Sequence, residues 1–176
     1  MAERLVLDAS AALALLRAEP AAGRVREALA DARVGEILVP DHFWLEVANV
    51  LMRRYGHTPA EVAEALQALD ELALVTATVD RPLSLLALEA MAAGHLTAYD
   101  AAYLALALVT DAGLVTLDAA LAAAAGTRDV FAGAKRGHRS TEIPAPYGPE
   151  ASLASLAGFG AYLARLRQAW EPESSR

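Results

Sequence analysis

The chain has 176 residues, 56% of them apolar, with 15 basic and 22 acidic side chains, a formal net charge of −7 and no cysteine. That length fits one ordinary domain, or one domain plus a modest appendage, and the apolar content is that of a globular chain rather than a disordered one. The charge supplies no whole-molecule attraction to nucleic acid, so a polyanion has to be met by a local basic patch or by bound cations. The absence of cysteine excludes disulfide scaffolds, thiolate zinc sites, iron–sulfur clusters and cysteine nucleophiles, and it suits a reducing cytoplasm.

Short β-like runs alternate with long Ala/Leu-rich helical patterns, the signature of an α/β fold in which helices cover a parallel sheet. The first strand is expected over Arg4–Leu7, with helices over Ser10–Arg17 and from Pro20 to about Ala32. Asp8 interrupts the opening apolar run too early for a signal-peptide core, so the mature chain is expected to begin at its Met1. A second strand over Glu36–Val39 ends at Pro40, and Asp41 is expected to cap a helix that Gly56 terminates. Thr58-Pro59-Ala60-Glu61 then reads as a capping box with proline at the first helical position. A third strand over Leu74–Thr78 precedes helices over Pro82–Ala93, stopped by Gly94, and Ala98–Asp111, followed by Gly113. A fourth strand over Leu114–Leu117 leads to a short helix, Ala119–Ala125, and to a candidate fifth strand, Arg128–Phe131. The domain is expected to span 1–132.

Residues 133–176 change character. Gly133–Pro149 carries Lys135-Arg136-Gly137-His138-Arg139 and three prolines, and reads as a linker or extended arm. A last helix is expected over Glu150–Trp170, with Leu156, Phe159, Leu163, Leu166 and Trp170 forming an apolar stripe that needs something to pack on. The longest stretch without Asp, Glu, Lys or Arg, Ala151–Ala164, has 14 residues and is too short to cross a bilayer, so no membrane association is expected.

Four carboxylates interrupt apolar runs: Asp8, Glu46, Asp100 and Asp118. Burying a bare carboxylate costs several kcal/mol or more without compensation, so each placement calls for a cause. Local causes exist. Asp100 stands three residues after Thr97, as in a capping box, and Asp8 and Asp118 can each cap the helix that follows. A joint cause also exists, because Asp8 and Asp118 follow strands and Glu46 and Asp100 lie near helix starts at the same end of a parallel sheet, where such folds bind ligands. Converging carboxylates repel one another, and a hard divalent ion, Mg²⁺ or Mn²⁺, relieves that repulsion through oxygen coordination.

At these positions the chain resembles the PIN-domain nucleases, most closely the VapC-type toxins of bacterial toxin–antitoxin pairs. The matching stretches are LVLDASAAL, WLEVANVLMR, LTAYDAAYLALA and LVTLDAAL, in the family's order from Leu5 to about Phe131. The resemblance implies a three-layer fold with a central parallel sheet of four to five strands. It also implies a metal-dependent endoribonuclease in which Asp8, Glu46, Asp100 and Asp118 hold the ion and carry catalysis. Ser10 and Thr116 match hydroxyl positions beside those acids, and Asn49 lies one helical turn beyond Glu46; these three are expected to support the acids. Arg53, Arg54 and Arg128 are the candidate grips on an RNA backbone. A homodimer and an antitoxin protein are the partners that the resemblance implies, and the segment from Gly133 onward has no counterpart in the pattern.

Two other readings stay open: a non-catalytic PIN-like interaction module, and a PIN-domain nuclease of RNA maturation. Nucleotide-loop, zinc-protease and serine-hydrolase motifs are absent. The four histidines, His42, His57, His95 and His138, are scattered and read as loop and cap residues.

Overall fold

The computed structural model describes residues 4–132 apart from 31, 33 and 34. The expected arm at Gly133–Pro149 and the expected helix at Glu150–Trp170 lie outside the described residues. Four strands form one parallel sheet: β1 (Leu5–Leu7), β2 (Ile37–Pro40), β3 (Val75–Ala77) and β4 (Gly113–Val115), in the order β3-β2-β1-β4. Central β1 is buried along its whole length and aligns Leu5 with Ile37 on one side and with Gly113 on the other. Such uninterrupted apolar strands are what a sheet covered on both faces requires.

The helices follow the strands as the alternation predicts: α1 (Ala9–Leu16), α2 (Ala22–Leu29), α3 (Phe43–Tyr55), α4 (Pro59–Ala68), α5 (Arg81–Gly94), α6 (Ala98–Thr110) and α7 (Ala119–Ala125). Helix α6 is apolar on every side and buried from Ala101 to Leu108, so it forms the centre of one layer, against β1, β2 and β4, with α5 and α7 packed on it. A second group of helices has α1 packed on α2 and α3, and α3 on α4. No single helix among the described residues is long and apolar enough to cross a membrane.

Several local expectations need correction. The fifth strand reduces to one parallel bridge, Leu114 to Asp129, after a 3₁₀ turn over Gly126–Arg128. The fourth strand starts one residue earlier and ends two earlier, because the chain leaves the sheet at Thr116 to bring its hydroxyl to Asp8. Asp41 does not cap α3; its Oδ2 accepts from the Val79 amide at 3.2 Å and ties the end of β2 to the chain leaving β3. Gly94 does not terminate α5, since His95 takes the left-handed position at φ 52°. Its lack of a side chain serves packing instead, because a Cβ there would stand 3.1 Å from that of Ala124 on α7. Asp111 ends α6 in the same left-handed conformation, φ 52°, while Gly113 lies inside β4 under Val130 and Leu5. The Thr58–Glu61 capping box forms as read, with Pro59 at the helix start.

Candidate metal centre

The parallel sheet points the carboxyl ends of β1 and β4 the same way, and Asp8 and Asp118 follow those ends. Asp8 is 2% exposed and caps α1, accepting from the Ser10 amide at 3.2 Å. It also accepts from the Ser10 hydroxyl and, at 2.8 Å, from the Thr116 hydroxyl. All three bonds end on Oδ2. Ser10 Oγ also ties the start of α1 to the segment after β4, accepting from the Leu117 amide at 2.9 Å, and within that segment Thr116 Oγ1 accepts from the Asp118 amide at 3.0 Å.

The remaining acids are held in the same manner. Asp118 caps α7, its Oδ1 accepting from the Leu121 amide at 2.8 Å. Asp100 sits in the first turn of α6, where Thr97 Oγ1 donates to its Oδ2 at 2.7 Å and accepts from its amide. Glu46, in the first turn of α3, accepts at Oε2 from the Tyr103 hydroxyl at 2.7 Å. Each carboxylate is thus anchored through one oxygen. The capping and ion-binding explanations are therefore compatible, since a cap occupies one oxygen and a metal ligand needs the other.

Electrostatics tie three of the four together. Burial pushes the Asp8 carboxyl above the usual range, against the bonds from Ser10 and Thr116, and the charge of Asp100 adds to the rise. Burial also raises Glu46 to about 7, with the Tyr103 bond opposing and the charges of Asp8 and Asp100 reinforcing. Tyr103, fully buried beside these acids, has its phenol pushed up by burial and by Glu46, so it stays a hydrogen-bond donor. Its ring lies 5.0 Å from that of His42, which burial keeps below its ordinary value and which also faces Tyr99 at 5.4 Å.

The donor chemistry suits a hard divalent cation: carboxylate oxygens only, two of them on carboxyls that burial and mutual repulsion hold above their ordinary values. Among the described residues, however, no group of three or more His, Asp or Glu side chains is placed so that it could hold a metal ion as it stands. In this arrangement Asp8 and Asp118 each accept from an amide at the start of their own helix, and Asp100 accepts from the Thr97 hydroxyl.

The other expected residues divide sharply. Ser10 and Thr116 join the acids directly. Asn49 is exposed one turn beyond Glu46. Arg53 and Arg54 are exposed at the far end of α3, about 10–12 Å along its axis from Glu46. Arg128 lies at the opposite end of β4 from Asp118, bonded to Asp111 at 3.0 Å and to the Ala112 carbonyl. Tyr103, through its bond to Glu46, joins the candidate site without being among the residues expected from the sequence. Its signal is a polar aromatic three residues after Asp100 amid Ala and Leu, one turn from the acid and on the same face.

Known proteins give the constellation its setting. No curated protein matches the sequence. Among solved structures, the fold is similar to the Mycobacterium tuberculosis toxin VapC20, described as cleaving the sarcin–ricin loop, at 20% identity and a TM-score of 0.57, over 68% of this chain and 94% of that one. It is also similar to PAE2754 from Pyrobaculum aerophilum at 27% identity and a TM-score of 0.50, over 72% of this chain and 89% of that one. The family model for the PIN domain matches residues 5–127, which take in all four acids and every described strand, and the chain accordingly belongs to the PIN domain family.

Proposed function

We propose that this PIN domain is a metal-dependent endoribonuclease, the toxin of a VapBC-like toxin–antitoxin pair that acts as a homodimer. The observation that carries the reading is the mutual electrostatic influence of Asp8, Glu46 and Asp100 at the end of the sheet where Asp118 also stands. Such an arrangement is costly in a protein that needs no cation there. The description of VapC20 as a toxin that cleaves the sarcin–ricin loop stands beside it, and exposed Leu45, Met52, Leu88 and Tyr99 offer apolar surface for association.

Asp8, Glu46, Asp100 and Asp118 would hold Mg²⁺ or Mn²⁺ through the oxygens that their caps leave over. A bound ion supplies two things, a lowered pKa for an attacking water and stabilisation of charge on phosphoryl oxygens. The protein's own part is positional. Ser10 and Thr116 fix the Asp8 carboxylate by two hydroxyl bonds, and Tyr103 fixes Glu46. At neutral pH Glu46 lies close to its midpoint, so it can exchange a proton with solvent or substrate until an ion claims it.

The test is incubation of the purified protein with total RNA and Mn²⁺ beside an Asp8→Asn variant, followed by mapping of the new ends. Cleavage by the native chain alone is expected, and equal cleavage by both would remove the nuclease reading. A non-catalytic interaction module is the second reading, favoured by the service of Asp8 and Asp118 as helix caps and by the tie of Asp100 to the cap residue Thr97. Titration with Mg²⁺ separates the two, because a cluster that binds the ion gains thermal stability and a set of caps does not.

A further inference from the structure

One helical turn before Tyr103 on α6 stands Tyr99, which is 62% exposed although it directly precedes Asp100. Its ring meets that of His42 at 5.4 Å with a tilt of 45°, and His42 in turn meets buried Tyr103 edge to face at 5.0 Å. His42 also hydrogen-bonds to the Tyr99 backbone, and it caps the start of α3 four residues before Glu46. Tyr99 is thus an aromatic ring steadied by a second ring, open to solvent and next to one of the four acids. Exposed Met52 and Leu88 lie elsewhere, near the far end of α3 and midway along α5. An anionic strand arriving at the acids gains little from charge. The chain carries −7, and Arg53, Arg54 and Arg128 stand away from the site. Stacking supplies a grip that needs no charge, because every nucleobase has a π-face for an exposed aromatic ring to meet.

Resting on the nuclease reading above, we propose that Tyr99, steadied by His42, is a nucleobase-stacking subsite that seats an unpaired base of the RNA beside the phosphate held at the acids. Tyr99 and Asp100 are consecutive residues, so the stacked base belongs to a nucleotide at or next to that phosphate. The substrate class follows from the same contact. Bases in a duplex are stacked on one another, and only a single-stranded loop, bulge or end offers a free face to an aromatic side chain. Stacking tolerates every base, so this subsite selects for an unpaired nucleotide rather than for a particular one. The phenol hydroxyl plays no part in it, which separates Tyr99 from Tyr103, whose hydroxyl bonds to Glu46.

The probe is a labelled single-stranded uridine oligoribonucleotide of about ten nucleotides, bound to the full-length chain in Mn²⁺ with Asp118→Asn present to keep the strand uncut. Fluorescence anisotropy reads the affinity. Adding Tyr99→Ala should weaken binding about 5- to 150-fold, the range of one lost base–aromatic stack, whereas Tyr99→Phe and Tyr99→Trp should retain it. The loss should persist at high salt, unlike a phosphate contact, and should vanish on an abasic strand of the same length. Calorimetric titration of Tyr99→Ala in the otherwise native chain should give an unchanged affinity for Mn²⁺. Equal RNA affinity with and without Tyr99 would overturn the proposal, as would a loss of equal size on the abasic strand or a parallel loss of Mn²⁺ affinity. Dissociation of a dimer by Tyr99→Ala with RNA affinity unchanged would assign the ring to a protein interface and equally overturn it. Failure here is distinct from failure of the nuclease reading: native chain that cleaves total RNA while Tyr99→Ala binds the strand normally removes the subsite alone, and native chain that neither cleaves nor binds RNA removes both.

Discussion

On the proposed reading, Asp8 serves two ends with one side chain. Its Oδ2 satisfies an orphan amide at the start of α1 and two hydroxyls, and Oδ1 stays outside that network. Asparagine caps a helix about as well as aspartate, so Asp8→Asn, Asp100→Asn and Asp118→Asn are expected to abolish RNA cleavage while leaving thermal unfolding unchanged or raised. Unfolding of these variants at ordinary temperature would show that the carboxylates are needed for structure alone. Ser10→Ala and Thr116→Ala remove bonds that orient Asp8, and a fall in metal affinity of about 10–100-fold is expected for each, read by calorimetric titration with Mn²⁺. Tyr103→Phe should act differently. The Tyr103 bond holds the Glu46 carboxyl down, so its loss raises Glu46 further, and the pH at which Mn²⁺ binds half-maximally should move upward. An unmoved midpoint would separate Tyr103 from the site.

At the scale of elements, the site is a product of helix starts. Asp8 and Asp118 are N-caps, and Asp100 and Glu46 stand in first turns, where the unpaired amides and the helix dipole favour negative charge. Thr97 therefore supports both the start of α6 and the carboxylate of Asp100. Thr97→Ala is expected to cost about 1 kcal/mol in denaturant unfolding and to reduce cleavage, whereas Thr97→Ser retains both. Loss of stability without loss of cleavage would show that Asp100 needs no such anchor. The close contact of α5 with α7 at Gly94 belongs to the same scale, since it allows the helix that Asp118 caps to approach the layer around α6.

For the whole molecule, the cluster sets a pH dependence. Glu46 titrates near 4.5 in an unfolded chain and at about 7 when folded, so between those values the folded state binds more protons. Stability that is complete below about pH 4.5 is then lost as pH rises through about 7, and the raised Asp8 acts in the same sense. Metal-free protein should accordingly melt at a lower temperature at about pH 8 than at about pH 6, and saturating Mg²⁺ should reduce the difference. Calorimetric scans in chelator and in Mg²⁺ check this, and a metal-free melting temperature that rises over that interval would contradict the burial of these carboxyls.

The alternation of strands and helices, the placement of the four acids at helix starts and the Thr58 capping box were legible in the chain because each rests on local spacing: apolar runs, caps and carboxylates set among hydrophobic residues. Local spacing carries no information on what meets across the fold. Tyr103 and Glu46 are 57 positions apart, and only the packing of α6 behind the sheet brings the phenol to the carboxylate. The same holds for Gly94, whose role comes from Ala124 rather than from its own helix end, and for the candidate fifth strand, which yields a single bridge. Arg53, Arg54 and Arg128 were plausible by charge, yet their distance from the acids follows from helix direction and strand end. Residue type and spacing determined which groups could do chemistry; the direction in which each element runs decided which of them meet.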